Sequence, residues 1–320
     1  MALLSVKVTA KREEAVDICS FDLVSADGES LPAFEPGAHI DVHVPGGLVR
    51  QYSLWNDPCG QVGLYRIGVL KDATGRGGSV AMHEKVVPGT VLQIGKPRNQ
   101  FALVDTPGHS LLFAGGIGIT PILCMAQTLA SRDARFELHY CTRSASRTAF
   151  REQLSASSLS GQVHLHHDDA APEQRIDIES LLRAQAADCH LYVCGPKGFM
   201  DAVLSVARQL DWAQDRLHYE FFAPVSVVGD GDTPFEVKLA ASGRVIPVNP
   251  MQTVLQALNA AGVELPTSCE QGICGTCVTR VLEGIPDHRD SFLMPEEQAA
   301  NDCFTPCCSR SRTPLLVLDL

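Results

Sequence analysis

The sequence predicts a multidomain chain: an antiparallel β-barrel, then a doubly wound parallel α/β domain, then a small C-terminal α+β domain. Three observations carry this. Up to about residue 104, short alternating runs are punctuated by Gly, Pro, Asn and Asp. From about Gly108, apolar strand-like runs alternate with longer helical patterns. Beyond a Gly-, Asp- and Pro-rich stretch at 225–233, the pattern changes again, to a hairpin, a short helix and a loop of spaced cysteines. The expected division is 1–104, 105–224, a linker at 225–233, and 234–320.

In the first domain the strand candidates are "LLSVKVTAKR", "ICSFDLVS", "HIDVHVP", "RQYSLWN", "LYRIGVLK" and "TVLQIGKPR", with one helix at "GGSVAMHEKV". In the second they are "HSLLFAG", "RFELHYC", "QVHLHH", "CHLYVCG" and "RLHYEFF". Helical patterns lie between them at "TPILCMAQTLAS", "AFREQLSA", "DIESLLRAQ" and "GFMDAVLSVARQL". The third domain offers a hairpin at "FEVKLAASGRVIPV", a short helix at "TVLQALNAAG" ending at Gly262, and a closing strand at "PLLVLDL".

Composition narrows the function classes. A chain of 320 residues with 45% hydrophobic and 20% charged content has ample material for buried cores. A net charge of −11 argues against nucleic acid or an anionic membrane as the main partner. No run approaches the roughly 20 apolar residues of a membrane span, and the N-terminus, with no long apolar run and no small-residue cleavage site, reads as no export signal. A cytoplasmic location is expected. The 12 cysteines then read as thiols and metal ligands rather than disulfides.

Cys269, Cys274 and Cys277 stand at C-x4-C-x2-C, about thirty residues before Cys307. This is the plant-type [2Fe–2S] spacing, and Gly272 and Gly275 suit a loop whose N–H groups turn toward sulfides. A zinc site would more often show two C-x2-C pairs. On spacing alone, Cys303, Cys307 and Cys308 compete as the fourth ligand. Upstream, "GRGGS" (75–79) precedes a helix, where backbone N–H groups and a serine hydroxyl make an anion site. Arg50, in "RQYSL", could add a bidentate phosphate contact, and Tyr52 an aromatic face. "FAGGIGITPI" (113–122) and "CGPKGFM" (194–200) are glycine turns at strand carboxyl ends, where open α/β sheets bind ligands. Asp168 and Asp169 would repel a 2′-phosphate, whereas Arg143 and Arg147 argue for one; the acidic pair favours NADH. "HLHHDD" (164–169) resembles a metal motif, but strand alternation explains it more simply.

Taken in order, "RQYSL", "GRGGS", "GGIGITPI", "CGPKGFM", "SCEQGICGTC" and "CCSRSRTPLLVLDL" resemble the phthalate dioxygenase reductase family over essentially the whole chain. The resemblance implies an FMN barrel, an NADH domain and a C-terminal ferredoxin domain. It implies FMN contacts from Arg50, Gln51, Tyr52, Ser53, Val69, Lys71, Gly77, Gly78, Ser79, Thr120 and Phe222. It implies NADH contacts from Gly115, Gly116, Gly118, Thr120, Pro121, Arg143, Cys194, Gly195 and Pro196. The family's C-x-S-R run selects Cys307 beside Cys269, Cys274 and Cys277 as cluster ligands. The expected activity is electron transfer from NADH through FMN and the cluster to a Rieske-type oxygenase acting on an aromatic compound, with a non-aromatic Rieske monooxygenase as the alternative partner. A monomer is expected.

Overall fold

The computed structural model describes the whole chain except residues 1–2, 76, 106–107, 157, 172–174, 223–230, 268–271, 273–274 and 291. Two compact units divide it, Met1–Phe222 and Ala223–Leu320.

The first unit opens with β1 (Leu4–Ala15), β2 (Ile18–Ser25), β3 (Ala38–Val44), β4 (Leu48–Ser53) and β5 (Leu64–Leu70). Helix α1 (Gly78–Lys85), β6 (Val91–Ile94) and β7 (Arg98–Asn99) follow. The antiparallel order is β4-β3-β6-β1-β2-β5, with β7 on β3. A Leu54–Ile67 bridge and a 3.0 Å hydrogen bond from the Trp55 N–H to the Arg66 carbonyl join the two ends, so the sheet closes. Period-2 alternation fills the interior with Val6, Val8, Phe21, Leu23, Ile40, Val42 and Ile67.

The same unit continues with a parallel sheet. Its elements are β8 (Ser110–Gly115), α2 (Ile119–Ser131), β9 (Phe136–Thr142), α3 (Arg151–Leu154), β10 (Val163–His167), α4 (Ile178–Arg183), β11 (His190–Gly195), α5 (Lys197–Gln209) and β12 (Leu217–Phe221). The order β10-β9-β8-β11-β12 reverses direction between β8 and β11, which opens a crevice at their carboxyl ends. Strand β8 is buried throughout, as a central parallel strand requires. The helix expected over "AFREQLSA" is only one turn. Phe150 packs 4.9 Å from Trp55 and takes φ 58°, outside the helical region, so the turn begins after it.

The second unit holds β13 (Phe235–Leu239), β14 (Val245–Val248), α6 (Val254–Ala260), β15 (Thr279–Glu283), β16 (Pro286–Asp287), α7 (Pro295–Ala300), β17 (Cys303–Phe304), β18 (Arg310–Ser311) and β19 (Leu315–Leu318). Its sheet order is β14-β13-β19-β15-β17, with β13 and β19 parallel. A capping box starts α6: Thr253 Oγ1 accepts from the Gln256 N–H, and Gln256 Oε1 accepts from the Thr253 N–H, both at 3.1 Å. Most of the expected linker lies outside the described residues. Its Asp232 is held inside this unit, accepting from Arg289 Nη1 at 2.9 Å and lying 3.4 Å from Arg310 Nε.

Candidate electron-transfer site

At the barrel, β4 carries Arg50, Gln51, Tyr52 and Ser53, and Arg50 meets the start of α1. Gly77 caps that helix at φ 87°, a left-handed conformation that favours glycine. A Cβ on Gly78 would lie 2.8 Å from Arg50 Nε, so the guanidinium rests directly on the helix N-terminus. A cation beside free N–H groups is a site for a phosphate. Ser79 Oγ accepts from the Asp72 N–H at 3.0 Å and closes the loop before the helix. Gln51 Nε2 donates to Asp41 Oδ1 at 3.1 Å, and Lys71 Nζ to Glu84 Oε1 at 2.9 Å. Val69 is buried on β5. The Tyr52 hydroxyl is buried with no hydrogen-bond partner among the described residues, and burial pushes its pKa up. An orphaned buried hydroxyl beside an anion cradle fits a polar ligand that would supply the partner.

In the parallel sheet, the two glycine turns meet. A Cβ on Gly118 would lie 2.2 Å from the Cys194 carbonyl oxygen, and one on Gly195 would lie 2.9 Å from Gly115 Cα. A Cβ on Gly115 would meet Pro196 Cδ at 2.9 Å. Gly116 takes φ 52°. The structure therefore brings Gly115, Gly116, Gly118, Cys194, Gly195 and Pro196 together at the crevice. Thr120 and Pro121 are buried in the first turns of α2. Arg143 is exposed just past β9, where its carbonyl accepts from the Asp169 N–H at 3.3 Å. Arg147 lies 3.4 Å from Asp17. Burial keeps the Cys194 thiol protonated.

The first turn of α2 also touches the barrel. A Cβ on Gly68, next to Val69, would lie 2.8 Å from Thr120 Cγ2. Phe222 packs on the same core as Trp55 and Ile119.

Sequence reasoning missed the buried pair His39 and Glu220. Glu220 sits inside the quoted "HYEFFAP", but only the fold surrounds it. Ser53 hydrogen-bonds to its carboxyl group, and His39 Nδ1 lies 3.8 Å away. The separation is that of an ion pair, yet burial keeps both groups neutral near pH 7. It pushes Glu220 up to about 8 and His39 down to about 4. Folded Glu220 holds its proton to about pH 8, whereas the unfolded side chain loses it near 4.5. Its stabilising contribution is thus full below about pH 4.5 and is lost as pH rises through 8. His39 acts oppositely, but only between about 4 and 6.5. Glu220→Gln should therefore gain roughly 1–2 kcal/mol relative to the parent between pH 6.5 and 8. Urea unfolding followed by tryptophan fluorescence checks this, since both tryptophans lie in the first unit. Parallel pH profiles would contradict a protonated Glu220.

In the second unit, Cys277, Cys307 and Cys308 are buried with Leu255 and Leu265. Cys269 and Cys274 lie outside the described residues. The Cys307 thiol hydrogen-bonds to Cys277 and to Cys308. Cys308 Sγ also lies 3.1 Å from Thr305 Oγ1, within a network through Ser309 to Asp290. Gly272 takes φ 72°, and a Cβ there would lie 2.3 Å from Cys308 Sγ. Cys303 is half-buried on β17, opposite Arg280. Grouped buried thiols beside a tight glycine loop fit a thiolate-bound cluster.

Residues 112–205 match the oxidoreductase NAD-binding domain, and residues 237–312 match the 2Fe-2S iron-sulfur cluster binding domain. The solved structure of a phthalate dioxygenase reductase superposes with a TM-score of 0.79 at 37% identity, covering 100% of this chain and 98% of that one. The chain belongs to the phthalate dioxygenase reductase family. Within this family it is 54% identical to a vanillate O-demethylase oxidoreductase of Pseudomonas sp. (strain HR199 / DSM 7063), over 99% of this chain and 100% of that one. It is 39% identical to the reductase subunit of a tert-butanol monooxygenase / tert-amyl alcohol desaturase of Aquincola tertiaricarbonis, over 99% and 96%. As a phthalate dioxygenase reductase family member, the chain is an oxidoreductase with the expected fold class, built from an antiparallel barrel, a parallel NAD-binding sheet and an iron–sulfur unit. No helix among the described residues is long and apolar enough to cross a membrane.

Proposed function

We propose that this chain transfers electrons from NADH to the Rieske centre of a partner oxygenase acting on an aromatic, vanillate- or phthalate-like compound. When bound, NADH supplies a hydride, and FMN with a [2Fe–2S] cluster divides its two electrons into single transfers. The observation that carries the reading is the approach of Thr120 to Gly68, which sets the nucleotide turn against the barrel strand bearing Val69. Hydride transfer needs that closeness.

Arg50, Gly77, Gly78 and Ser79 would hold the FMN phosphate. Gln51, Tyr52, Ser53, Val69, Lys71, Thr120 and Phe222 would shape the rest of its site. Gly115, Gly116, Gly118, Pro121, Arg143, Cys194, Gly195 and Pro196 would seat NADH, with Thr120 shared. Asp168 and Asp169, beside Arg143 at the carboxyl edge, favour NADH over NADPH. Cys269, Cys274, Cys277 and Cys307 would ligate the cluster. The division into 1–104, 105–224, 225–233 and 234–320 is supported by the matched ranges 112–205 and 237–312. The chain would act as a monomer inside the cell, where NADH is available.

The name of the tert-butanol relative supports a second reading, a non-aromatic partner. The purified chain should show flavin and cluster absorbance, and anaerobic NADH should bleach both. Mixed with candidate oxygenases, it should support turnover of vanillate or phthalate. Turnover with only a non-aromatic system would move the assignment to the second reading, and no bleaching would refute both.

A further inference from the structure

A group of metal-ligating side chains lies outside the electron-transfer site. Glu137 and His139 lie on one face of β9. His164 pairs with His139 across the β9–β10 ladder. Glu137 Oε1 is 3.2 Å from His139 Nε2 and also 3.2 Å from His164 Nε2. The three atoms all lie within 4.8 Å of one another. Zinc with bonds of about 2.0–2.1 Å in tetrahedral geometry holds its ligand atoms about 3.3 Å apart. The two Glu–His separations match that edge.

The hydrogen bonding at His139 points the same way. This side chain is 4% exposed. Its Nδ1 lies 2.9 Å from His166 Nε2, while its Nε2 makes no hydrogen bond among the described residues despite the nearby carboxylate. In the tautomer whose Nδ1–H donates to His166, the Nε2 lone pair has no hydrogen-bond partner among the described residues and is available to a cation. The Nδ1 contact is also the outer hydrogen bond that fixes the tautomer of a ligating histidine.

We propose that Glu137, His139 and His164 bind one divalent transition cation of the zinc type, with solvent completing the coordination. His164 is 44% exposed, which gives the ion an entry path. The ligands lie about 10–16 Å along β9 and β10 from the carboxyl edge that carries the nucleotide turns. Strand β10 is the sheet edge. The ion therefore staples an edge strand to its neighbour and takes no part in hydride transfer.

The test uses the flavin- and cluster-loaded protein after dialysis against chelator. Zinc is titrated calorimetrically, metal per chain is counted after gel filtration, and cluster absorbance is followed throughout. One zinc per chain is expected, bound at least tenfold more weakly in His164→Ala and in Glu137→Gln. The exposed and remote His43→Ala should match the parent. Zinc should raise the thermal midpoint of the tryptophan transition in the parent and in His43→Ala only. Absence of zinc binding in the parent would overturn the proposal. So would equal binding by the His164 and Glu137 variants, or uptake tied to loss of cluster absorbance.

Discussion

Cys307→Ser is expected to lower NADH-driven cytochrome c reduction by about 100-fold or more, while NADH still bleaches the flavin at close to the parent rate. Cys307 is the proposed fourth ligand, and it hydrogen-bonds to Cys277, another proposed ligand. The neighbouring Cys308 is anchored to Thr305 and tucked under Gly272. Cys308→Ser should therefore retain visible cluster absorbance. The measurement is iron and sulfide per chain, with stopped-flow flavin bleaching and cytochrome c reduction on both variants. Cluster loss in Cys308→Ser and retention in Cys307→Ser would exchange the two roles. Full cytochrome c reduction by Cys307→Ser would break the assumed electron order.

Gly118→Ala should slow NADH bleaching of the flavin by about 100-fold, because a displacement of about 1 Å between reacting groups can cost that much. The added methyl would lie 2.2 Å from the Cys194 carbonyl oxygen and 2.7 Å from the Gly195 N. Both are backbone atoms, so one of the two nucleotide turns has to shift. Chemical reduction by dithionite bypasses NADH and should still reduce flavin and cluster fully. Rapid-mixing absorbance with each reductant checks both halves. Unimpaired NADH bleaching would show that the turns need not touch.

Much of the architecture was legible because period-2 and period-3.6 patterns are local properties. The strands from Leu4 to Ile94, and those alternating with helices from Ser110 to Phe221, follow their patterns. The third domain was less legible. Strands β16, β17 and β18 have two residues each, too few to show a period, and they exist because partners pair with them. The one-turn α3 was overestimated because the docking of Phe150 on Trp55 is a tertiary event.

The sequence alone determined the chemistry available: spaced thiols, two glycine turns, and an arginine strand ahead of a glycine-started helix. Each depends on neighbours within a few residues, so spacing reveals it. Which of these groups meet is set by the folded chain. Gly118 reaches Cys194 across 76 positions, and Glu220 loses water to Ser53 and His39. His164, read from its strand as simple alternation, meets Glu137 because parallel register sets β10 beside β9. Desolvation and ligand geometry depend on distance in space, and a linear spacing does not contain that distance.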